Sequence, residues 1–246
     1  MSLEKRLQPN AQPLFIQIEG LIEARILERE WSQGETLPSE FAFADYYNVS
    51  QGTVRKAINL LAKRNFLERR QGKGTFIKSL TTECEHSHFF HISNRSGEKV
   101  VPTTRQLSIK KSSPDKEAQQ LLKLAPAAQI VTVERMRIIS DQPGILETIK
   151  VDANRFPDLD TYLRENTTNE LYPLYEQRYG IRILRAEENI EAISANSRHA
   201  KHLDIETGSA LLKITRVAYS FNDEPVETRR SLLQTKDWCY RSLLER

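Results

Sequence analysis

Between Ser50 and Lys78 lie eight basic residues, Arg55, Lys56, Lys63, Arg64, Arg69, Arg70, Lys73 and Lys78, against one acid, Glu68. That is a net +7 on a stretch of a chain whose total is +3. Cations at that density suit the phosphates of duplex DNA, and the interleaved Gln51, Thr53 and Asn59 offer hydrogen-bonding groups that base edges can use. A second set of charges sits in the C-terminal half. Arg135 and Arg137 alternate with Val131, Val133 and Ile139; Glu147 alternates with Ile145, Ile149 and Val151; Glu227 and Arg229 alternate with Ser231 and Leu233. Charges on an apolar strand face must be paired internally or must await a polar ligand. Arginine suits a carboxylate or phosphate through its planar fork. A third set, Cys84, His86, His88 and His91, has metal-ligand chemistry but not the spacing of a structural zinc site. It is expected to be a polar linker entering a strand, with His91 and Ser93 placed to line a pocket. No metal and no cofactor is expected.

These groups need positioning. Residues 13 to 30 carry Ile18, Leu21, Ile22 and Ile26 at helical spacing. Ser39 and Ser50 each precede an apolar-periodic run and suit helix N-caps, with Asn48-Val49 as the turn between the two helices. In the second of these, Val54, Ala57, Ile58, Leu61 and Ala62 make the buried stripe. Two short strands then flank Gly72-Lys73-Gly74, where glycine permits a tight turn. A helix-turn-helix with a basic second helix and a basic wing results. Strands are expected at 105–110, 130–140, 145–152, 182–193, 211–221 and 226–234, with a turn at Asp141 to Gly144. Helices are expected at 114–124, 168–179 and 197–203. This is α+β with a largely antiparallel sheet.

Apolar residues make up 39% of the 246, enough to pack two medium domains. Residues 1–79 hold 12 basic and 9 acidic side chains, and the remainder balances at 24 each, so nucleic-acid chemistry is confined to one end. The expected division is a DNA-binding domain at 10–79, a linker at 80–88 and a second domain at 89–243. Two distant cysteines fit a reducing compartment, and no apolar run or signal-peptide core points to a membrane, so a cytoplasmic protein is expected.

The N-terminal part resembles the winged helix of the GntR family of bacterial transcription regulators. The matching residues are Pro13-Leu14-Phe15 with Gln17-Ile18, Leu37-Pro38-Ser39-Glu40, Val49-Ser50 with Thr53-Val54-Arg55, and Gln71-Gly72-Lys73-Gly74-Thr75-Phe76. Phe41 and Gln51 stand where the family commonly has arginine, which changes the expected operator, since glutamine favours adenine and arginine guanine. The expected DNA contacts are Ser39, Glu40, Ser50, Gln51, Thr53, Arg55, Lys56, Arg70, Lys73 and Gly74.

The C-terminal part resembles the UTRA effector domain of the HutC-like branch. The resemblance rests on Val133-Glu134-Arg135-Met136-Arg137, Leu146-Glu147-Thr148, residues 154–159, Leu171-Tyr172 with Tyr179-Gly180-Ile181, residues 211–216, and Pro225-Val226-Glu227 with Arg230-Ser231. It implies a chorismate-lyase-like α+β fold, a homodimer, and a small-molecule effector held by Arg135, Arg137, Glu147, Tyr172 and Glu227. Glu170 stands where many members have serine, and the stretch at 91–94 lacks the run seen in sugar-phosphate sensors. These departures weigh against an amino-sugar phosphate and leave organic acids and other phosphorylated or phosphonate compounds. The expected function is a sequence-specific repressor controlled by a small polar, anionic metabolite. An enzyme is the rival from another class. The chain shows no nucleophile–base–orienter set, no P-loop and no Rossmann glycine pattern. A nonspecific architectural DNA protein is disfavoured by the charge-neutral second domain.

Overall fold

The computed structural model describes residues 12–27, 30–32, 34–63, 66–78, 89–220 and 223–242. The expected linker 80–88, with Cys84, His86 and His88, lies outside these, as does Arg64. The chain divides into two compact units, residues 1–79 and 80–246.

The first unit holds α1 (Leu14–Leu27), α2 (Glu40–Tyr47), α3 (Gln51–Lys63), β1 (Leu67–Arg70) and β2 (Gly74–Ile77). The Ser39 hydroxyl accepts the Ala42 amide at 3.1 Å and starts α2. Asn48 ends it in the left-handed region at φ 52°. The Ser50 hydroxyl accepts the Thr53 amide at 3.2 Å and starts α3. Each cap satisfies an amide that the first turn would leave unpaired. Ile18 and Ile22 of α1 meet Val54, Ala57, Ile58 and Leu61 of α3 in a closed core. Residues 34–37 extend the wing: the Leu37 amide donates to the Thr75 carbonyl at 2.8 Å, and the Ile77 amide to the Glu35 carbonyl at 2.9 Å. Gly72 and Gly74 turn the wing with φ of +71° and +113°, values that a side chain would strain.

The second unit is built on a six-stranded antiparallel sheet. Its strands are β4 (Thr103–Ser112), β5 (Ile130–Ile139), β6 (Gln142–Asp152), β7 (Arg185–Ser194), β8 (Ala210–Tyr219) and β9 (Pro225–Gln234), in the order β4-β5-β6-β9-β8-β7. A separate pair joins β3 (Ile92–Asn94) to β10 (Trp238–Tyr240). The helices are α4 (Lys116–Leu121), α5 (Leu159–Glu165), α6 (Leu171–Tyr179) and α7 (Ser197–Leu203). One sheet face packs Val131, Val133, Ile149 and Val151 against Leu159 and Leu163 of α5 and Tyr172 and Tyr175 of α6. The other packs Met136, Leu146, Leu211 and Leu232 against Leu203 of α7.

Several expectations are corrected. The β5–β6 turn is Ser140-Asp141, both at positive φ, not Asp141 to Gly144. Two left-handed residues match the twist of the strands, and β6 begins before Pro143, with Gly144 unpaired in a bulge. A Cβ on Gly144 would sit 2.7 Å from the end of the Ile139 side chain, which would have to shift to admit it. The helix expected at 114–124 is only α4, capped by Asp115 and stopped before left-handed Lys123. The helix expected from Thr168 begins at Leu171, because the Thr168 hydroxyl bonds the Glu170 backbone instead. The strand expected from Arg182 begins at Arg185.

Candidate nucleic-acid interface and effector site

The side chains expected to face DNA are organised by Glu40. Its carboxylate accepts Nε of Arg55 on α3 at 2.9 Å and a terminal nitrogen of Arg69 on β1 at 2.6 Å. Burial opposes its charge, but hydrogen bonds from Arg55 and then Arg69 outweigh it and hold the carboxyl below its ordinary value. Glu40 therefore acts on the two arginines, joining recognition helix and wing. Ser39 and Ser50 are caps, and the Ser50 hydroxyl also lies 2.9 Å from the Thr53 hydroxyl. Gln51, Arg55 and Lys56 are exposed on the first turns of α3, and Thr53 is half-buried beside them. On the wing, Lys73 and Gly74 are exposed, and Arg70 bonds Glu68 at 3.1 Å while its guanidinium lies 4.5 Å from the Phe76 ring centre. A helix N-terminus and a basic hairpin thus share one surface, the arrangement that inserts a helix in the major groove and sets cations on the backbone.

In the second unit, register builds a charged patch on the sheet face beneath α6. Arg135 pairs across to Glu147, and Glu147 to Ser231; one row along, Ile149, Arg229, Arg216 and Glu188 are successive partners on β6, β9, β8 and β7. Arg135 donates from Nε to Glu147 at 2.6 Å. Glu147 also accepts Ser231 at 3.3 Å and faces Arg229 at 3.8 Å. Glu227, fully enclosed, accepts Tyr172 at 3.2 Å, Tyr175 at 2.8 Å and Arg229 at 2.9 Å. Arg216 donates to Glu188 at 2.7 Å and to the Phe89 carbonyl, and Tyr240 donates to Glu188. Arg137 donates to Thr104 at 2.9 Å and to the Asn169 carbonyl, with Glu170 at 3.6 Å.

Four arginines and four glutamates therefore form one network, but not an even one. Arg137 is only 2% exposed, and its Nε has no hydrogen-bond partner. Burial first, and then the neighbouring Arg135, push its guanidinium down to about 10. Glu147 shows the converse: burial opposes its charge, and Arg135, Arg229 and Arg137 overcome it and hold the carboxyl far below the usual range. Beside the network is a cavity lined by Phe89, Phe90, His91, Glu147, Glu188, Arg216, Arg229, Ser231 and Tyr240, among others. Its envelope is about 400 Å³, of which only about 30 Å³ admits the centre of a water molecule, room for about two waters.

Of the expected effector residues, the structure brings His91 and Glu147 to this cavity. Arg135, Arg137, Tyr172 and Glu227 belong to the network around it. Ser93 does not reach it: that residue is buried in β3, with its hydroxyl 3.3 Å from the Cys239 sulfur. Arg216, Glu188 and Tyr240 were not expected. The signal for Arg216 and Glu188 was alternation on β8 and β7, which becomes informative only once register pairs them; Tyr240 lies on the three-residue β10 and gave none. Among the described residues, no group of three or more His, Cys, Asp or Glu side chains could hold a metal, and no helix is long and apolar enough to cross a membrane.

Comparison with known proteins agrees with both halves. Residues 97–237 match the UTRA domain, and residues 16–77 match the bacterial regulatory proteins of the gntR family. The HTH-type transcriptional regulator YurK of Bacillus subtilis is 29% identical over 92% of this chain and 93% of its own length. The mannosyl-D-glycerate transport/metabolism system repressor MngR of Escherichia coli is 26% identical over 96% of this chain and 97% of its own. Among solved structures, the ligand-binding domain of a GntR-family regulator from Bordetella bronchiseptica superposes with a TM-score of 0.61 at 26% identity, covering 64% of this chain and 98% of that one. PhnF from Mycobacterium smegmatis, at 23% identity, shares the fold over 93% of this chain and 99% of its own, with a TM-score of 0.55. With a basic winged helix in one unit, a polar sheet face in the other and a matching family over each, the chain belongs to the GntR family of bacterial transcription regulators, in the branch that carries a UTRA domain.

Proposed function

We propose that this protein is a cytoplasmic repressor that binds a palindromic operator as a homodimer and is controlled by a small polar anion, a carboxylate or phosphorylated compound, bound at the Arg135–Arg137–Glu147 face. The observation that carries the effector reading is Arg137. A buried guanidinium with one donor unmet and a second arginine beside it is an electrostatic deficit that an anion relieves. Two-fold operators match two-fold proteins, so dimerisation follows from the proposed mode of DNA recognition. The effector acts by binding one arrangement of the two units more tightly than another, because a ligand with equal affinity for both shifts nothing.

The test begins with purified protein and sheared genomic DNA of its source, sequencing what is retained at physiological salt. A few enriched palindromes are expected, with neighbouring genes nominating the effector. Arg135→Ala should keep operator binding and lose release by that effector. Loss of both would make the arginines structural, and broad retention that vanishes with added salt would reduce the interaction to phosphate contacts.

A further inference from the structure

The most exposed aromatic among the described residues is Phe41, at 73%, at the start of α2 in the first unit. It is the second residue of α2, next to Glu40, whose carboxylate is tied to Arg55 on the recognition helix and Arg69 on the wing. Phe41 thus follows directly on the residue that ties α3 to the wing, yet no ring or cation contact among the described residues involves it. It contributes nothing visible to the core, and water is a poor environment for a phenyl ring. Arg55 and Arg69, held by the adjacent Glu40, make an uncharged protein surface a poor match and a polyanion a good one. On duplex DNA, the apolar group in the major groove is the C5-methyl of thymine.

We infer that Phe41 is a base-reading residue that packs on a thymine methyl in each operator half-site. The inference rests on the DNA-binding reading proposed above and adds to it the base chemistry selected. Exposed Gln51, on the first turn of α3, has the bidentate amide that pairs with adenine N6 and N7. The two residues together read A·T pairs, one through hydrogen bonds and the other through a methyl group.

The experiment takes an operator enriched by the full-length protein and replaces its thymines by deoxyuridine one at a time, which removes only the methyl. Binding is measured for the wild type and for Phe41→Ala. At one or two positions per half-site the wild type should weaken about fourfold, the ~0.8 kcal/mol of one buried methyl converted to an affinity ratio. Phe41→Ala should show no such loss at those positions, while its affinity for random DNA stays at the wild-type level. An identical deoxyuridine profile in the two proteins would overturn the assignment of Phe41 and leave the regulator intact. A Phe41→Ala loss of equal size on every sequence would also overturn it. A wild type without any sequence preference would overturn this inference and the regulator reading together.

Discussion

At the scale of single residues, the protein places ionised groups where water cannot reach and relies on geometry to keep them charged. Glu147 is the clearest instance, 3% exposed and facing three arginines. Its folded carboxyl is depressed below the unfolded value of 4.5. The stability it contributes is therefore present in full above that value and is lost as pH falls from there toward the folded value. Glu147→Gln should destabilise the second unit by about 3–5 kcal/mol at neutral pH, because an unpaired buried guanidinium is left behind. It should also flatten the decline in stability below the ordinary carboxylate range. Urea unfolding of both proteins at a series of pH values checks both expectations; parallel curves would show that the network tolerates a neutral group at this position. The residues of this patch were legible in sequence to the extent that they broke a pattern. Arg135, Arg137, Glu147 and Glu227 stood out as charges alternating with β-branched neighbours. Glu188 did not, because β7 is largely exposed and a glutamate on an exposed strand breaks nothing.

At the scale of elements, short-range chemistry was legible and long-range pairing was not. Both serine caps, the Asn48 turn and the wing glycines act within four residues of themselves, so their signals survive without knowledge of the fold. The β5–β6 turn was misplaced because Asp141-Gln142-Pro143-Gly144 has the composition of a turn, while cross-strand pairing carries β6 through it as a bulge. β3 and β10 are three residues each and exist only as partners across more than 140 positions, which no local period reports. α5 follows left-handed Asp158 and has no side-chain cap. Two glycines make a matched test of what local geometry requires. Gly74→Ala must hold φ at +113° with its Cβ 3.2 Å from Thr36, and should cost about 1–3 kcal/mol and loosen the wing's hold on DNA. Gly20→Ala, within α1 and with nothing within 4 Å, should stabilise by up to ~1 kcal/mol. Thermal unfolding of the two variants decides, and a stabilising Gly74→Ala would refute the strained-wing account.

At the scale of the whole molecule, charge divides the labour: residues 1–79 carry the net +3 and the remainder is balanced. The second unit brings no net charge to the attraction for DNA, and in the regulator proposed above its influence on binding comes through conformation. The presence of two domains was legible because each has its own ordered motifs. The cavity beside the proposed effector face bears on time. With about 30 Å³ free among the described residues, it is smaller than a metabolite, so in the regulator proposed above an effector enters by displacing Phe89 to His91 or Tyr240, and the Arg216 hold on the Phe89 carbonyl breaks. The observed binding rate, followed by stopped-flow fluorescence of nearby Trp238, should rise with effector concentration and then level off at the rate of opening; a rise that stays linear would mean the way in is already open. A gate of that kind would make the proposed regulator its own clock. A surge of metabolite briefer than the opening time passes without a response, and only a sustained supply is converted into a change of gene expression.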